Sequence, residues 1–343
     1  MEAGFHKQVT IGILAISLVL GMLLATATGT VQIGLYKVVQ ILWHRLPYLG
    51  EGPAARWSPT EEVITMAVRL PRVILAAVVG TALAAAGVVF QGLFRNPMAD
   101  PYVVGVSAGA ALGATVAISL RLNAQAGIYA VPFLAFIGAL LTSQLVYLLA
   151  KVGNKVSVTS LLLAGIAVGS FLSAVVSLLM VLKNDGLQEI VFWMMGGFSA
   201  RSWQHVYMAL PYVLAGLAVI FAFRREMNLL LLGEETAQQL GVNVHRLQVV
   251  LLAAGSLVAA AAVSVSGIVG FVGLIVPHVM RLLVGADHRL LLPAAALAGG
   301  LFLLAADTLA RIVLAPLEVP VGILTALTGA PFFLYLLRRS RTL

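Results

Sequence analysis

The chain has 343 residues, 61% of them hydrophobic and 10% charged, a formal net charge of +8 and no cysteine. A soluble domain usually carries about 25% charged residues, so this much apolar surface excludes a single soluble core and makes the bilayer the expected solvent. The cations are scattered between uncharged runs and form no stripe, which argues against nucleic acid. The lack of cysteine excludes disulfides and thiolate metal sites.

The first uncharged run spans 8–36. It is far longer than the roughly 7–15 apolar residues of a signal-peptide core. Despite the small-residue stretch ATATG at 25–29, it therefore reads as a retained first transmembrane helix. Further uncharged runs cover 73–94, 101–120, 122–150, 156–182, 202–223, 247–280, 290–306 and 319–337. One crossing needs about 20 residues. The run 247–280 is too long for one, and Gly267, Gly270, Gly273 and Pro277 divide it near Gly267. The expectation is an all-α membrane protein of ten transmembrane helices, a single domain over 1–343 with halves at 8–182 and 202–337.

Ten crossings put both termini on one side. With the N-terminus inside, the inner loops hold a modest excess of Lys and Arg, helped by the basic tail RRSRTL. More than half of the outer cations (Lys37, Arg45, Arg56, Arg69 and Arg72) fall in one long loop. The expected orientation is N-in and C-in. GTALAAAGVVFQG at 80–92 resembles GSLVAAAAVSVSG at 255–267. These blocks fall in spans two and seven, which run in opposite directions, so the reading is an inverted five-helix repeat of the kind many transporters carry.

Gradient-driven carriers usually hold acids in mid-membrane, and these spans nearly lack them. Asp100 falls at a hairpin end. Asp307 lies near the end of span nine, where the expected partner is Arg311 one helical turn later. His6, His44, His245 and His288 read as loop or tail residues, His205 sits at the outer end of span six, and no pair has ligand spacing. A permanent metal or haem site is therefore not expected. LLLLGEETAQQLGVNVHR at 229–246 is a polar interruption between apolar runs. Glu234 and Glu235 suit a helix N-terminus, Ala237 and Leu240 give a small apolar face, and Gly241 suits a left-handed stop. Two readings stand equal on spacing alone: a helix that docks on a soluble partner, or a solvated loop helix on the headgroups.

QGLFRNPMADPYVVGVSAGA (91–110), LLLAGIAVGS (161–170), FWMMGGFSARSW (192–203), LLGEETAQQLGV (231–242), GIVGFVGLIVPHVMRLLVGADHRLLLP (267–293) and ADTLARIVLAPLEVPVGILTALTGAPFF (306–333) resemble the FecCD/BtuC family. These are permease subunits of type II ABC importers for iron–siderophores, haem and vitamin B12. The resemblance runs from about Arg69 onward, and WMMGGF looks somewhat closer to the B12 permeases.

The resemblance implies a prokaryotic plasma-membrane subunit that works as a homodimer with one translocation path on the two-fold axis. Its implied partners are two cytoplasmic ATPase subunits and a periplasmic or lipid-anchored binding protein. It makes 229–246 the ATPase-coupling segment, with Leu232, Gly233, Glu234, Glu235, Leu240 and Gly241 as its contact set. Arg69, Arg72 and Arg311 would receive carboxylates of the binding protein at the outer mouth, a task that suits the planar guanidinium fork; the bland reading is snorkelling to headgroups. Asn96, Ser157 and Thr159 would border a cytoplasmic gate, or merely serve as turn and cap residues. Ser160, Gly165, Gly169 and Ser173 on span five would line the path, or merely permit close packing. The chain carries no phosphate-loop motif. ATP and Mg are expected on the partner ATPase, with no cofactor or metal here and no enzymatic activity of the chain's own. The rival classes are a gradient-driven secondary transporter acting without an ATPase, and a non-transporting membrane scaffold.

Overall fold

A computed structural model describes residues 2–45, 57–152, 155–183 and 186–340. Arg56 and Arg341, both counted toward orientation, lie outside the described residues. Helix α1 (Glu2–Ala27) is followed by a short α2 (Leu35–His44). The run 8–36 is thus not one helix. It stops at Ala27, ahead of a stretch rich in Thr and Gly that propagates a helix poorly. Helix α3 (Pro59–Val63) opens on a Ser58–Glu61 capping box and passes through a wider π turn at Ile64–Arg69 into α4 (Leu70–Phe94).

A 3₁₀ turn at Pro101–Val104, capped by Asp100, leads into α5 (Val106–Ser119). Then come α6 (Asn123–Ala126) and α7 (Ala130–Ala150). A two-residue antiparallel ladder pairs Lys151–Val152 with Lys155–Val156. It leads to α8 (Val158–Leu182) and α9 (Leu187–Met195). The second half holds α10 (Trp203–Ala222), α11 (Arg224–Leu230), α12 (Glu234–Gln239), α13 (Val244–Ser266), α14 (Val272–Val284), α15 (His288–Ile312) and α16 (Val321–Ser340). The expected division of 247–280 is found: α13 ends at Ser266, and Gly267 turns the chain at φ +69°.

Among the described residues, seven helices are long and apolar enough to cross a membrane, and α5, α14 and the apolar part of α16 are shorter. Burial ranks them. In the most apolar stretch, 83% of residues are buried for α4, 72% for α13 and 67% for α15, against 11% for α1 and for α8. Helices α4, α13 and α15 are therefore the centre of the bundle, while α1 and α8 face outward. Small residues allow the central helices to close. A Cβ on Gly80 would meet the Gly299 carbonyl oxygen at 2.2 Å, and one on Gly87 would meet that of Gly273 at 1.9 Å. Such contacts replace the hydrophobic drive that lipid does not supply.

The two similar blocks lie in α4 and α13, which pack on each other. Each is followed by an irregular turn and a short helix. The turns hold one another: the Tyr102 hydroxyl donates to Val269 O at 2.8 Å and accepts from Val269 N at 3.2 Å. Gln91 Nε2 donates to Gly273 O at 3.3 Å and Leu274 O at 3.1 Å. Irregular backbone inside an apolar bundle needs such internal partners.

Candidate functional site

The polar stretch forms the helix its residues demand. Gly233 precedes α12 at φ +113°, and Gly241 follows it at φ +86°, conformations that glycine adopts without a Cβ clash. Val242 N closes the end on Ala237 O at 3.0 Å. Ala237 is fully buried, whereas Leu240 is 56% and Leu232 61% exposed. This corrects the expected shared face: Ala237 seats α12 on its own chain, and the two leucines flank it from outside. Glu234 reaches back to the bundle, accepting from Gln248 at 3.2 Å and lying 3.8 Å from Arg95.

The segment before it carries a link that local reading missed. Asn228 in α11 accepts from His288 N at 2.8 Å and donates to Asp287 Oδ1 at 2.6 Å. Asp287 also caps α15 through Arg289 N at 2.9 Å. Burial would raise the Asp287 carboxyl, but the Arg289 amide, the Asn228 amide and the Arg289 charge together hold it below the usual range. His288 is wholly buried, not a loop residue, and stacks its ring edge against Gly92 of α4. The signal was a histidine directly after an Asp in N-cap position, which fixes a helix start but not its neighbour.

The residues expected to border a gate sit at the same end. Asn96 accepts from Met98 N at 2.9 Å, an ordinary turn. Ser157 caps α8 through Ser160 N at 3.0 Å, and its hydroxyl donates to Ser160 Oγ at 2.7 Å. Thr159 is exposed. Ser157 lines a groove with Phe94, Tyr147, His245 and Gln248, which places it beside the residue that holds Glu234. On α8, Gly165 is buried and a Cβ there would meet Val103 O at 1.9 Å. It packs closely on the 3₁₀ turn, in line with the packing alternative for this span. Ser173 is exposed, and Ser160 and Gly169 are partly so.

At the opposite end the three arginines are buried, with 5%, 7% and 6% exposure for Arg69, Arg72 and Arg311. Arg69 donates to the carbonyls of Thr26 at 3.1 Å and Ala27 at 3.0 Å, and also to Val31 O. Arg311 donates to Thr28 O at 3.0 Å and Ala25 O at 3.1 Å. Together they satisfy the carbonyls of Ala25, Thr26 and Ala27 at the end of α1 and of Thr28 just beyond it, where free helix carbonyls carry the negative end of the helix dipole. Arg72 grips Asp307 through Nε and Nη2 at 2.9–3.1 Å and Glu318 through Nη1 at 2.9 Å. The expected Asp307–Arg311 pair is present at 3.4 Å, but Arg72 is the closer partner. The expectation of a free positive rim is thereby corrected. The guanidiniums are turned inward because the α1 terminus and Asp307 supply acceptors there.

Glu318 is the more open member, its side chain 39% exposed. Burial works against its charge, yet the Ser199 hydroxyl and Arg72 hold its carboxyl below the usual range. Among the described residues no group of three or more His, Asp or Glu side chains is placed to hold a metal ion.

Comparison with known proteins agrees with this architecture. The cobalamin import system permease protein BtuC of Halobacterium salinarum is 52% identical over 279 residues, 81% of this chain and 74% of its own. The molybdate import system permease protein MolB of Haemophilus influenzae is 36% identical over 347 residues, 99% of each chain. A solved structure described as an inward-facing ABC transporter of the metal-chelate type superposes with a TM-score of 0.81 at 34% identity, covering 96% of this chain and 98% of that one. The family model of the FecCD transport family matches residues 17–339, and this multi-pass plasma-membrane protein belongs to that family.

Proposed function

We propose that the chain is the transmembrane permease subunit of an ATP-driven ABC importer. It crosses the membrane ten times, N-in and C-in, as an inverted five-helix repeat, with α12 in the cytoplasm. The observation that carries the reading is the α12 segment: a polar helix bounded by two glycines, with Leu232 and Leu240 left open for a partner. The Asn228–Asp287–His288 contacts tie the preceding helix α11 to α15. Exposed Leu flanking a short charged helix suits insertion into a groove of a soluble ATPase. That partner would hold ATP and Mg and perform the hydrolysis, and this chain would bind no cofactor of its own.

The subunit would work as a homodimer. Helix α8 supports this, because Leu163, Ile166 and Phe171 are 62–67% exposed on a helix whose other side packs on α5 and α7. The cargo would be a metal chelate: a ferric siderophore, haem or a corrinoid. The cobalamin relative supports the corrinoid choice, and the molybdate relative widens the range toward small oxyanions. A binding protein would deliver it at the outer face. For Arg72 to receive a carboxylate there, the incoming acid would have to displace Glu318, the exposed member of the cluster. The test is copurification with a co-expressed ABC ATPase, with hydrolysis that rises on assembly. Absence of any stable complex would return the chain to the secondary-transporter reading.

A further inference from the structure

A cavity of about 530 Å³ lies at the outer end of the bundle. That volume lies in the range of small-molecule sites. Its lining includes three groups rich in hydrogen-bond donors: Trp193 of α9, Arg201 in the loop before α10, and His205 of α10. Trp193 is 7% exposed, yet its indole N–H has no partner. Arg201 Nε is likewise buried without one. Indole and guanidinium nitrogens only donate, so both lack an acceptor.

His205 stands beside them, its Nε2 3.3 Å from Arg201 Nη1. With the ring proton on Nε2, Nδ1 accepts from Ser202 N at 3.2 Å and His205 offers a further donor to the cavity. With the proton on Nδ1, donating to Ser202 Oγ at 3.3 Å, Nε2 accepts from Arg201. In both forms the Trp193 N–H and Arg201 Nε keep no acceptor. The carboxylates on the lining do not supply it. Glu318 is taken by Arg72 and Ser199, and Glu189 at the start of α9 makes no ion pair with Arg201 among the described residues. Burial alone lowers the Arg201 guanidinium to about 10, with no carboxylate to hold it up.

From these observations we infer that Trp193, Arg201 and His205 form an outer binding site for the carboxylate of a small organic anion, with Phe192 and Pro320 supplying apolar walls. The inference rests on the importer reading only for its role, as a first, weak contact for an anionic cargo leaving the binding protein. The binding itself requires neither ATP nor a partner.

The test uses the full chain in nanodiscs of zwitterionic lipid, so that anionic headgroups do not compete. Benzoate and its uncharged isostere benzamide are titrated by calorimetry and by tryptophan fluorescence. Benzoate should bind saturably, and benzamide at least about tenfold more weakly, because the charged acceptor supplies the difference. Arg201→Gln should lose about tenfold or more in benzoate affinity, Arg201→Lys should restore part of it, and Trp193→Phe should weaken it by a smaller factor. Equal binding of benzamide would reveal a merely apolar cavity and overturn the proposal. So would unchanged benzoate affinity in folded Arg201→Gln protein, or no saturable benzoate binding at all, which would mean that the donors are served by water. ATP-driven uptake is measured separately on the assembled transporter, so absence of benzoate binding by the wild-type chain with intact uptake contradicts this site alone.

Discussion

Arg72 and Asp307 are 235 residues apart in the chain and meet in a forked contact at 2.9–3.1 Å. Asp307 is fully buried, and Arg72 nearly so. Removing one partner from such a pair leaves an uncompensated charge and costs about 3–5 kcal/mol. Arg72→Ala or Asp307→Ala should therefore sharply lower the yield and melting temperature of detergent-solubilised protein. Replacing both together, Arg72→Met with Asp307→Leu, should recover much of the loss. Glu318→Gln should cost far less, because that side chain is 39% exposed. Equal stability of wild type and the single variants would show that the clamp contributes nothing.

The α12 segment offers a clean handle on the proposed coupling. Since Leu240 is exposed, Leu240→Asp leaves the protein's own packing untouched. Combined with Glu234→Lys, it should lower ATP-driven uptake at least several-fold while insertion and thermal stability stay near wild type. Full uptake by the double variant would remove α12 from the energy path.

Gly165 separates packing from path. A methyl group there would collide with Val103 O. Gly165→Ala should destabilise the fold, read as a lower melting temperature, whereas Gly169→Ala, whose Cβ would sit 3.9 Å from Ala108, should be tolerated. A stable Gly165→Ala protein with altered cargo selectivity would restore the residue to the path.

Asp100 gives a pH dependence. Burial raises its carboxyl to about 6, well above the usual carboxylate range, and the Tyr102 amide opposes the rise only in part. The folded chain thus holds this proton more tightly than the unfolded chain. The resulting stabilisation is full below the unfolded value and is lost as pH rises through about 6, on the order of 3 kcal/mol. Asp100→Asn keeps an oxygen for Tyr102 N and should be more stable than wild type above pH 6, with a flatter profile between pH 4 and 6. An unchanged profile in the variant would contradict this.

How much of this was legible depended on range. Uncharged runs located the apolar helices, and Gly267, Gly233 and Gly241 marked their breaks, because glycine acts on its own backbone. What local pattern does not carry is direction. Ala237 and Leu240 looked like one face but point to different neighbours. Arg69, Arg72 and Arg311 sit at helix ends where solvent or headgroups were the natural partners, and only the fold brings the α1 carbonyls and Asp307 to them. His288 was placed in a loop because nothing near it in sequence foretold Asn228 or Gly92.

The central claim is that energy enters through α12 and not through an ion gradient. The measurement is cargo uptake into proteoliposomes holding this chain with its ATPase, with ATP supplied on the ATPase side and an uncoupler or sodium ionophore added. The account predicts uptake that continues at an undiminished rate without a gradient and stops when ATP is withheld. Uptake that collapses with the gradient while ATP is held constant would contradict it.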